Sequence, residues 1–403
     1  MNLLTLSLAY LRDRALNSAL NLVLLALGVA MIVLLVLFAS QFEERLTKDA
    51  RGVHLVIGAK GSPLQLVLST IFHVDIPTGN ISLAEAAKIS KHRLVASAIP
   101  LALGDAYRGF RIVGTESSYP ASYKAEVNDG RLWKKPFETT IGARVMKEAG
   151  LKVGDMFSGA HGIKGTGKAH EENRYRVVGV FKRTGTVIDR LIITAMESVW
   201  IIHEIEEEAK TKGLMIEGPP SEEREITAMV IRYRSPIAAI TLPRYINTKT
   251  GMQAASPGFE IRRLMALVGV GIQTLQGFGI MLIATAALSM FIALYNAMQN
   301  RRYDIVIMRS LGATRRKLFC QILLEGLILA CAGTVSGIVI GHAVVELLGQ
   351  LLPQARDMGL TGVIWVREEW YLLLLSGMVG LVSAALPAVQ AYRTDIAVTL
   401  SAR

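Results

Sequence analysis

The chain has 403 residues, of which 51% are hydrophobic and 19% are charged. Ordinary globular proteins carry about 25% charged residues, so this composition argues against a wholly soluble chain and excludes disorder. The two cysteines, Cys320 and Cys331, both lie in apolar sequence and exclude a disulfide framework. The net charge of +11 suggests nucleic-acid binding, and the positions of the basic residues test that suggestion.

The first predicted element is a transmembrane helix over residues 15–42. This stretch contains no charged residue, and a helix needs about 20 apolar residues to cross the hydrocarbon core. A signal peptide is the alternative, with Arg12 and Arg14 as its basic end. Because the apolar region of a signal peptide has only about 7–15 residues, the length favours an uncleaved span.

Residues 43–263 are polar, charged and rich in turns, and they predict one large α+β domain. Segments rich in β-branched and aromatic residues predict strands over 110–113, 175–181, 191–195 and 226–233. Amphipathic patterns predict short helices over 198–210 and over 141–151, where Gly150 ends the helix.

A glycine-rich turn near the start of this domain precedes an apolar run over residues 64–76. One interpretation is a core strand or helix of the domain. The other is an apolar surface near the outer membrane face, where it would contact a lipid-like substrate. The run is too short to span a bilayer, which needs about 20 residues. The candidate substrate-contacting residues are Gly58, Lys60, Gly61, Leu64, Leu66 and Phe72.

Residues 162–168 (GIKGTGK) match the glycine and lysine positions of a phosphate-binding loop. The next residue is Ala169, where magnesium binding needs a Ser or Thr hydroxyl. A strand, and not the required helix, is predicted to follow. We therefore interpret this segment as a connection between strands.

Neither a metal centre nor an enzyme active site is predicted. Six of the seven histidines lie in the inserted domain, without the H-E-x-x-H spacing or a similar ligand pattern. They are His54, His73, His92, His161, His170 and His203. The sequence also lacks the G-x-S-x-G motif of serine hydrolases.

Three more charge-poor stretches predict transmembrane helices over residues 264–300, 318–345 and 371–392. The fold class is therefore a multi-pass α-helical membrane protein with four transmembrane helices and a large α+β extracytoplasmic domain between helices 1 and 2. The loop over residues 301–317 carries six basic residues and one acidic residue. Basic residues mark cytoplasmic loops. This loop and both termini are therefore predicted to lie in the cytoplasm, and the large domain and residues 346–370 on the other side of the membrane. Since much of the positive charge marks this topology, nucleic acid is not an expected partner.

The cytoplasmic loop predicts a compact elbow at the membrane surface. The second span can continue as a helix to about Ser310, and Gly312 then ends it because glycine tolerates the left-handed conformation. Thr314 is the predicted N-cap of the next helix. The elbow is either a basic turn anchored to lipid headgroups or a docking element for a cytoplasmic partner.

The third span carries Gly333, Gly337 and Gly341 on one helix face. Glycines at this spacing allow close helix approach in membranes. We expect the face to pack within the subunit or at a dimer interface.

Two motifs lie in the loop over residues 301–317 and near the end of the chain, over residues 386–400. The residues of the loop motif are Arg302, Asp304, Ile307, Met308, Arg309, Leu311, Gly312, Ala313 and Thr314. Both motifs resemble those of the FtsX-like ABC transporter permeases, a superfamily that includes the MacB and LolC/LolE proteins. Asp304 stands in place of the usual glutamate, and Ile396 in place of the usual proline. Residues 141–155 and 175–180 resemble the extracytoplasmic domain of the family, so the resemblance covers the whole chain.

The resemblance implies a permease subunit that couples ATP hydrolysis by a separate ATPase to motion of the periplasmic domain. In this family the loop that corresponds to residues 301–317 is the docking element for the ATPase. Glu325 matches an acidic position of the family, which implies that it is a structural partner of this basic loop. Residues 1–14 resemble an amphipathic helix that lies along the inner membrane surface. Residues 393–403 form a cytoplasmic tail.

The resemblance also implies the partners. Two copies of a separate ABC ATPase, which bind ATP and magnesium, dock beneath a permease homodimer in the bacterial inner membrane. A periplasmic or outer-membrane partner is expected, while the chain itself binds no cofactor. The expected substrate is lipid-linked, peptide-like or amphipathic. One alternative is an FtsX-like regulatory protein that activates a periplasmic partner, which the size of the insert disfavours; another is a membrane-anchored enzyme, which no motif supports.

Overall fold

The computed structural model describes residues 3–160, 162, 169–202, 224–352, 355 and 359–393. The chain divides into a helical unit, Met1–Glu43 with Leu267–Arg403, and an inserted domain, Glu44–Ala266. The described helices are α1 (Leu3–Asp13), α2 (Ala15–Asp49), α3 (Pro63–Thr70), α4 (Leu83–Ser90), α5 (Ser118–Ser122), α6 (Ala143–Ala149), α7 (described over 196–202), α8 (Ala238–Lys249), α9 (Pro257–Asn300), α10 (Arg302–Ser310), α11 (Arg315–Leu351) and α12 (Glu368–Arg393).

Four helices in the described part of the chain, α2, α9, α11 and α12, are long and apolar enough to cross a membrane. They confirm the four predicted spans. Each helix extends beyond its apolar stretch, because polar residues continue the backbone hydrogen bonding outside the hydrocarbon core. The unit boundaries at Glu43 and Leu267 therefore fall inside α2 and α9.

The core of the helical unit is apolar and closely packed. Val33, Met290 and Ala384 are fully buried in one cluster that draws side chains from α2, α9, α11 and α12. Small residues bring α11 and α12 together: a Cβ on Gly326 would lie 2.7 Å from the Gly380 carbonyl oxygen. Such close contact is how small residues stabilise helix pairs in membranes.

The inserted domain is built on a mixed sheet. Ten strands pair in the order β12-β1-β11-β3-β4-β9-β6-β8-β5, with β7 against β3 and β8, and β2 pairs with β10 separately. The β4–β9 and β6–β8 pairs are parallel. The strands are β1 (Leu55–Ala59), β2 (Ile81–Ser82), β3 (Val95–Tyr107), β4 (Phe110–Thr115), β5 (Val127–Gly130), β6 (Glu138–Ile141), β7 (Met156–Ala160), β8 (Ala169–Phe181), β9 (Leu191–Thr194), β10 (Glu225–Ile226), β11 (Ala228–Tyr233) and β12 (Met252–Ala255).

The sheet buries apolar side chains on both faces. Neighbouring residues of a strand point to opposite faces, and Ile112 and Val113 of β4 accordingly lie in two different core clusters. Ile192 and Ile193 of β9 divide in the same way. Because both faces of the sheet are buried, consecutive residues of these strands are apolar, without alternating polar positions.

The predicted helix over 141–151 is shorter than expected, because Ile141 belongs to β6. Gly150 ends α6 in the left-handed conformation, with φ of 74°. The predicted helix over 198–210 begins at Met196. Residues 163–168 of the glycine-rich connection and residues 203–210 lie outside the described residues.

Candidate functional site

The segment between the second and third spans, residues 301–317, forms a short helix and a tight turn, and we call it the elbow. Gly312 follows α10 with φ of 99°, a conformation that glycine adopts without strain. The Gly312 amide donates to the Arg309 carbonyl at 3.0 Å, and the Ala313 amide donates to the Met308 carbonyl at 2.9 Å. These two bonds satisfy the free carbonyls at the helix end, so Gly312 fixes the turn.

Thr314 caps the helix that enters the third span. Its backbone is extended, and its side-chain oxygen accepts the Lys317 amide hydrogen at 3.4 Å. A side-chain acceptor at this position satisfies one of the free amides of the first turn of α11. The four residues between α10 and α11 are thus held at both ends by local hydrogen bonds.

The elbow has an inner and an outer apolar face. Ile305 and Val306 are buried, and Met308 packs against the core of the helical unit. Tyr303 is 49% exposed and Leu311 is 82% exposed. The sequence singled out Ile307, Met308 and Leu311 together, but the structure separates them. Ile307, at 39% exposure, lies outward with Leu311, while Met308 lies inward.

The polar residues of the signature lie around this outer face. Asp304 and Thr314 are exposed, and Arg309 is partly buried. The side chain of Arg302 lies outside the described atoms. Tyr303 was missed by the sequence reasoning, although an aromatic residue among basic ones at a helix surface was a signal that it faces outward.

The expectation that the second span continues as a helix to Ser310 is wrong. α9 ends at Asn300, and Arg301 has non-helical dihedrals, with φ of −100° and ψ of 13°. α10 then begins at Arg302. The break redirects the chain so that Ile305 and Val306 reach the core, and it directs the Arg301 side chain into the helical unit.

Arg301 lies at the centre of a buried polar cluster. Its Nη1 lies 3.4 Å from Oε1 of Glu325, and the two side chains are only 12% and 4% exposed. Gln321 donates to the same carboxylate oxygen at 3.3 Å. Arg301 also donates to the Tyr10 carbonyl at 3.3 Å, and its guanidinium carbon lies 3.5 Å from the Tyr10 ring centroid. The cluster joins α1, the elbow and α11, and pairs Glu325 with the first residue of the elbow.

The glycine face of α11 packs against α2 of the same chain. A Cβ on Gly337 would lie 2.7 Å from both the Ala26 carbonyl oxygen and the Val29 Cβ. A backbone carbonyl cannot move aside, so position 337 requires glycine. A Cβ on Gly333 would lie 2.9 Å from the Leu25 side chain, and one on Gly341 would lie 2.8 Å from the Val33 side chain.

The apolar run after the Gly58 turn begins as the core helix α3 and ends at Val74 and Ile76, which are 51% and 62% exposed. Leu66 and Phe72 are 1% and 3% exposed, so both side chains face the interior of the domain in this conformation, and their role as substrate contacts stays a prediction. Leu66 lies on the amphipathic helix α3, which directs it into the domain, whereas Phe72 follows the helix end at Thr70. A Cβ on Gly58 would lie 2.4 Å from Leu66, so Gly58 is a packing position too. Lys60 and Gly61 stand near the surface and Leu64 is half-buried.

A second polar cluster of the helical unit was missed by the sequence reasoning. His342 Nε2 lies 2.9 Å from Oε2 of the fully buried Glu369, and its Nδ1 lies 2.5 Å from the Gly362 carbonyl. The His342 ring stacks on Trp365, with 5.8 Å between centroids. The sequence did offer a signal for this cluster, because His342 and Glu369 are ionisable residues near the ends of two predicted spans. The cluster ties the loop before α12 to α11.

The described histidines of the inserted domain serve local structure. His54 and His92 accept backbone amides of Tyr233 and Leu94 through Nδ1. His73 contacts the Tyr119 hydroxyl at 3.1 Å, and burial lowers the pKa of His73 well below its ordinary value, with nearby arginines adding to the effect. Among the described residues, no group of three or more His, Cys, Asp or Glu side chains is placed to hold a metal ion.

Two protein-family models match this chain, one for each of its two parts. The MacB-like periplasmic core domain matches residues 18–239, and the FtsX-like permease C-terminal domain matches residues 277–396. The first match alone covers more than half of the chain. No curated protein sequence matches it significantly.

Two solved structures resemble the inserted domain at low identity. The periplasmic region of MacB from Actinobacillus actinomycetemcomitans is 13% identical, with a TM-score of 0.32, and the match covers 54% of this chain and 97% of that one. The extracellular domain of the noncanonic ABC-type transporter YknZ from Gram-positive bacteria is 12% identical, with a TM-score of 0.28 and coverage of 50% and 99%.

The domain matches agree with the four apolar helices and with the large domain inserted after the first of them. The chain therefore belongs to the FtsX-like ABC transporter permeases with a MacB-like periplasmic core domain, which are multi-pass inner-membrane proteins that work with an ABC ATPase.

Proposed function

We propose that this chain is the permease subunit of a mechanotransmission ABC transporter. A separate ATPase docks on the outer face of the elbow, and ATP hydrolysis moves the periplasmic domain. Leu311 carries the proposal, because an apolar side chain that is 82% exposed stands on a turn fixed by Gly312. Exposed apolar residues on a rigid surface typify binding sites for another protein. Tyr303 and Ile307 extend this docking face.

The contacts behind the elbow supply a route for the movement. Ile305 and Val306 anchor the elbow in the core of the helical unit. Arg301 joins it to α11 through Glu325 and to α1 through Tyr10. A displacement of the elbow therefore acts on buried, closely packed groups.

The remaining parts of the proposal follow from the family. Two ATPase copies, which bind ATP and magnesium, act beneath a permease homodimer whose termini are cytoplasmic. The substrate is lipid-linked, peptide-like or amphipathic, and the transporter works with a periplasmic or outer-membrane partner.

A crosslinking experiment tests the docking face. Cys320 and Cys331 are replaced by Ser, and Leu311→Cys is introduced into the chain, which is then assembled with its ABC ATPase. A short bifunctional thiol reagent should join Cys at this position to the ATPase. Val363→Cys is the matched control, since Val363 is also 82% exposed but lies in the loop before α12. Crosslinking at both positions alike, or none at position 311, would contradict the docking proposal.

A further inference from the structure

A cleft of about 420 Å³ on the inserted domain is lined by an excess of positive charge. It is formed by the end of α2, the turn after α5 and the loop after β8. Among its described lining residues, Glu126 is the one acid, and Ser122, Tyr123, Thr184 and Thr186 are polar but uncharged. Its five cations are Lys48, Arg51, Lys124, Lys182 and Arg183.

Most of this positive charge has no counterion in the described structure. Lys182 pairs with Glu126, with 2.7 Å between Nζ and Oε2. The other four cations form no ion pair with a described residue. Elsewhere on the domain, arginines do find partners, as Arg131 does with Glu138 at 2.6 Å. The cleft is therefore a local concentration of unbalanced charge, which focuses the electric field in a concave space.

One wall of the cleft is fixed by a buried carboxylate. Asp189 is 7% exposed and accepts the Thr184 amide at 2.7 Å, the Thr184 hydroxyl at 2.8 Å and the Gly185 amide at 2.8 Å. Arg45 of α2 donates to the Gly185 carbonyl at 2.8 Å. These bonds hold the loop that carries Lys182 and Arg183. The backbone of the two cations is thus positioned before any ligand arrives.

A second part of the lining is tied to the end of α2. The Tyr123 hydroxyl donates to the Asp49 carbonyl at 3.0 Å. This bond links the turn that carries Lys124 to the helix end that carries Lys48 and Arg51. All three chain segments that supply cations are therefore connected by hydrogen bonds to one another.

The chemistry of the cleft selects an anion with several charges and acceptors. Like charges that converge repel one another, and a bound polyanion relieves this repulsion. Phosphate offers multiple oxygen acceptors to Lys and Arg in short, charge-assisted hydrogen bonds. The volume lies in the range of about 300–1,000 Å³ that is usual for small-ligand sites.

The position along α2 brings lipid headgroups within reach. Lys48 follows Phe42, the end of the apolar stretch, by six residues, which is about 9 Å along a helix. The headgroup region of a bilayer extends about 5–8 Å beyond the hydrocarbon core on each side. We infer that this cleft binds a phosphate group, presented either by a membrane lipid headgroup or by a soluble phosphorylated molecule. The site goes beyond the proposed function, which assigns no ligand to it.

Lysine reactivity in the full chain tests this site. The protein is placed in phosphatidylcholine nanodiscs and acetylated with a water-soluble reagent, alone, with inorganic pyrophosphate, with polyglutamate, or with phosphatidic acid added to the lipid. Mass spectrometry follows Lys124 and Lys182 as reporters and the exposed Lys152 as the internal control. We expect several-fold slower acetylation of the reporters relative to Lys152. Protection by phosphatidic acid without pyrophosphate assigns a lipid source, and protection by pyrophosphate alone assigns a soluble one.

Two matched double variants locate the effect. Arg51→Glu with Arg183→Glu should abolish the protection while it leaves both reporter lysines in place. Arg93→Glu with Arg244→Glu makes the same charge change at exposed positions outside the cleft and should retain the protection. Arg51→Lys with Arg183→Lys preserves the charge and should also retain it, which separates lost charge from lost folding.

Three results would overturn the inference. They are no protection in either arm, equal protection of Lys152, and equal protection by polyglutamate, which would indicate an acidic protein partner instead. The measurement needs neither an ATPase nor transport. Its failure would therefore leave the proposed permease function standing, and failure of ATPase coupling would leave the phosphate site standing.

Discussion

Replacing Glu325 by Gln should destabilise the helical unit strongly. The change removes the carboxylate that pairs with Arg301 at 3.4 Å, where both side chains are almost fully buried. Arg301 then keeps the Tyr10 carbonyl and ring and a neutral amide oxygen as partners, but no counterion. Breaking a buried pair by removing one partner costs about 3–5 kcal/mol. Because the Tyr10 contacts persist, we expect the lower end, about 3 kcal/mol.

A double variant that replaces both Arg301 and Glu325 tests whether the loss of stability comes from the unpaired buried charge. Replacing a buried ion pair by apolar residues of similar volume is often neutral or stabilising. Arg301→Met with Glu325→Leu should therefore recover to within about 1 kcal/mol of the original protein. The assay is denaturant unfolding of the detergent-solubilised chain, with Glu43→Gln as the control at an exposed acid. A double variant as unstable as the sum of the single variants would refute the reasoning.

Two further predictions concern packing and pH. Gly337→Ala should lower the free energy of unfolding by about 1–3 kcal/mol, because the new Cβ would meet the Ala26 carbonyl. Gly377→Ala is the control and should be nearly neutral, since a Cβ at Gly377 would meet no atom within 4 Å. Equal effects of the two substitutions would contradict the proposed packing. Hydrogen bonding to Arg131 lowers the pKa of Glu138 from 4.5 to about 2. A lowered folded-state pKa stabilises the protein above pH 4.5, and this contribution is lost as pH falls towards about 2. Glu138→Gln should therefore flatten the dependence of unfolding on pH in this window, and an unchanged slope would disprove the assignment.

Features governed by local chemistry could be predicted from the sequence. Charge-free stretches specify membrane helices because the bilayer excludes charge, and all four were found. Gly312 and Thr314 end and begin helices through their own backbone and side-chain preferences, and the structure places them so. The family signature also directed attention to the elbow.

Features that depend on distant partners could not be predicted in this way. At the helix break, the Arg301 side chain contacts Glu325 and Tyr10, which no local pattern connects to it. The two faces of the elbow follow from the break, so the sequence grouped Met308 with Ile307 and Leu311 although Met308 packs inward. The burial of Leu66 and Phe72 required knowledge of what covers α3. The basic cleft unites three separate chain segments, and only the fold brings them together.

The most direct test of the account is ATP hydrolysis by the ABC ATPase assembled with this chain in nanodiscs. Leu311→Asp places a charge on the docking face, and Val363→Asp makes the same change at an equally exposed residue outside the elbow. We predict that Leu311→Asp reduces permease-dependent hydrolysis to the level of the ATPase alone, while Val363→Asp leaves it unchanged. Full coupling in the Leu311→Asp protein would contradict the central claim that the ATPase acts through the elbow.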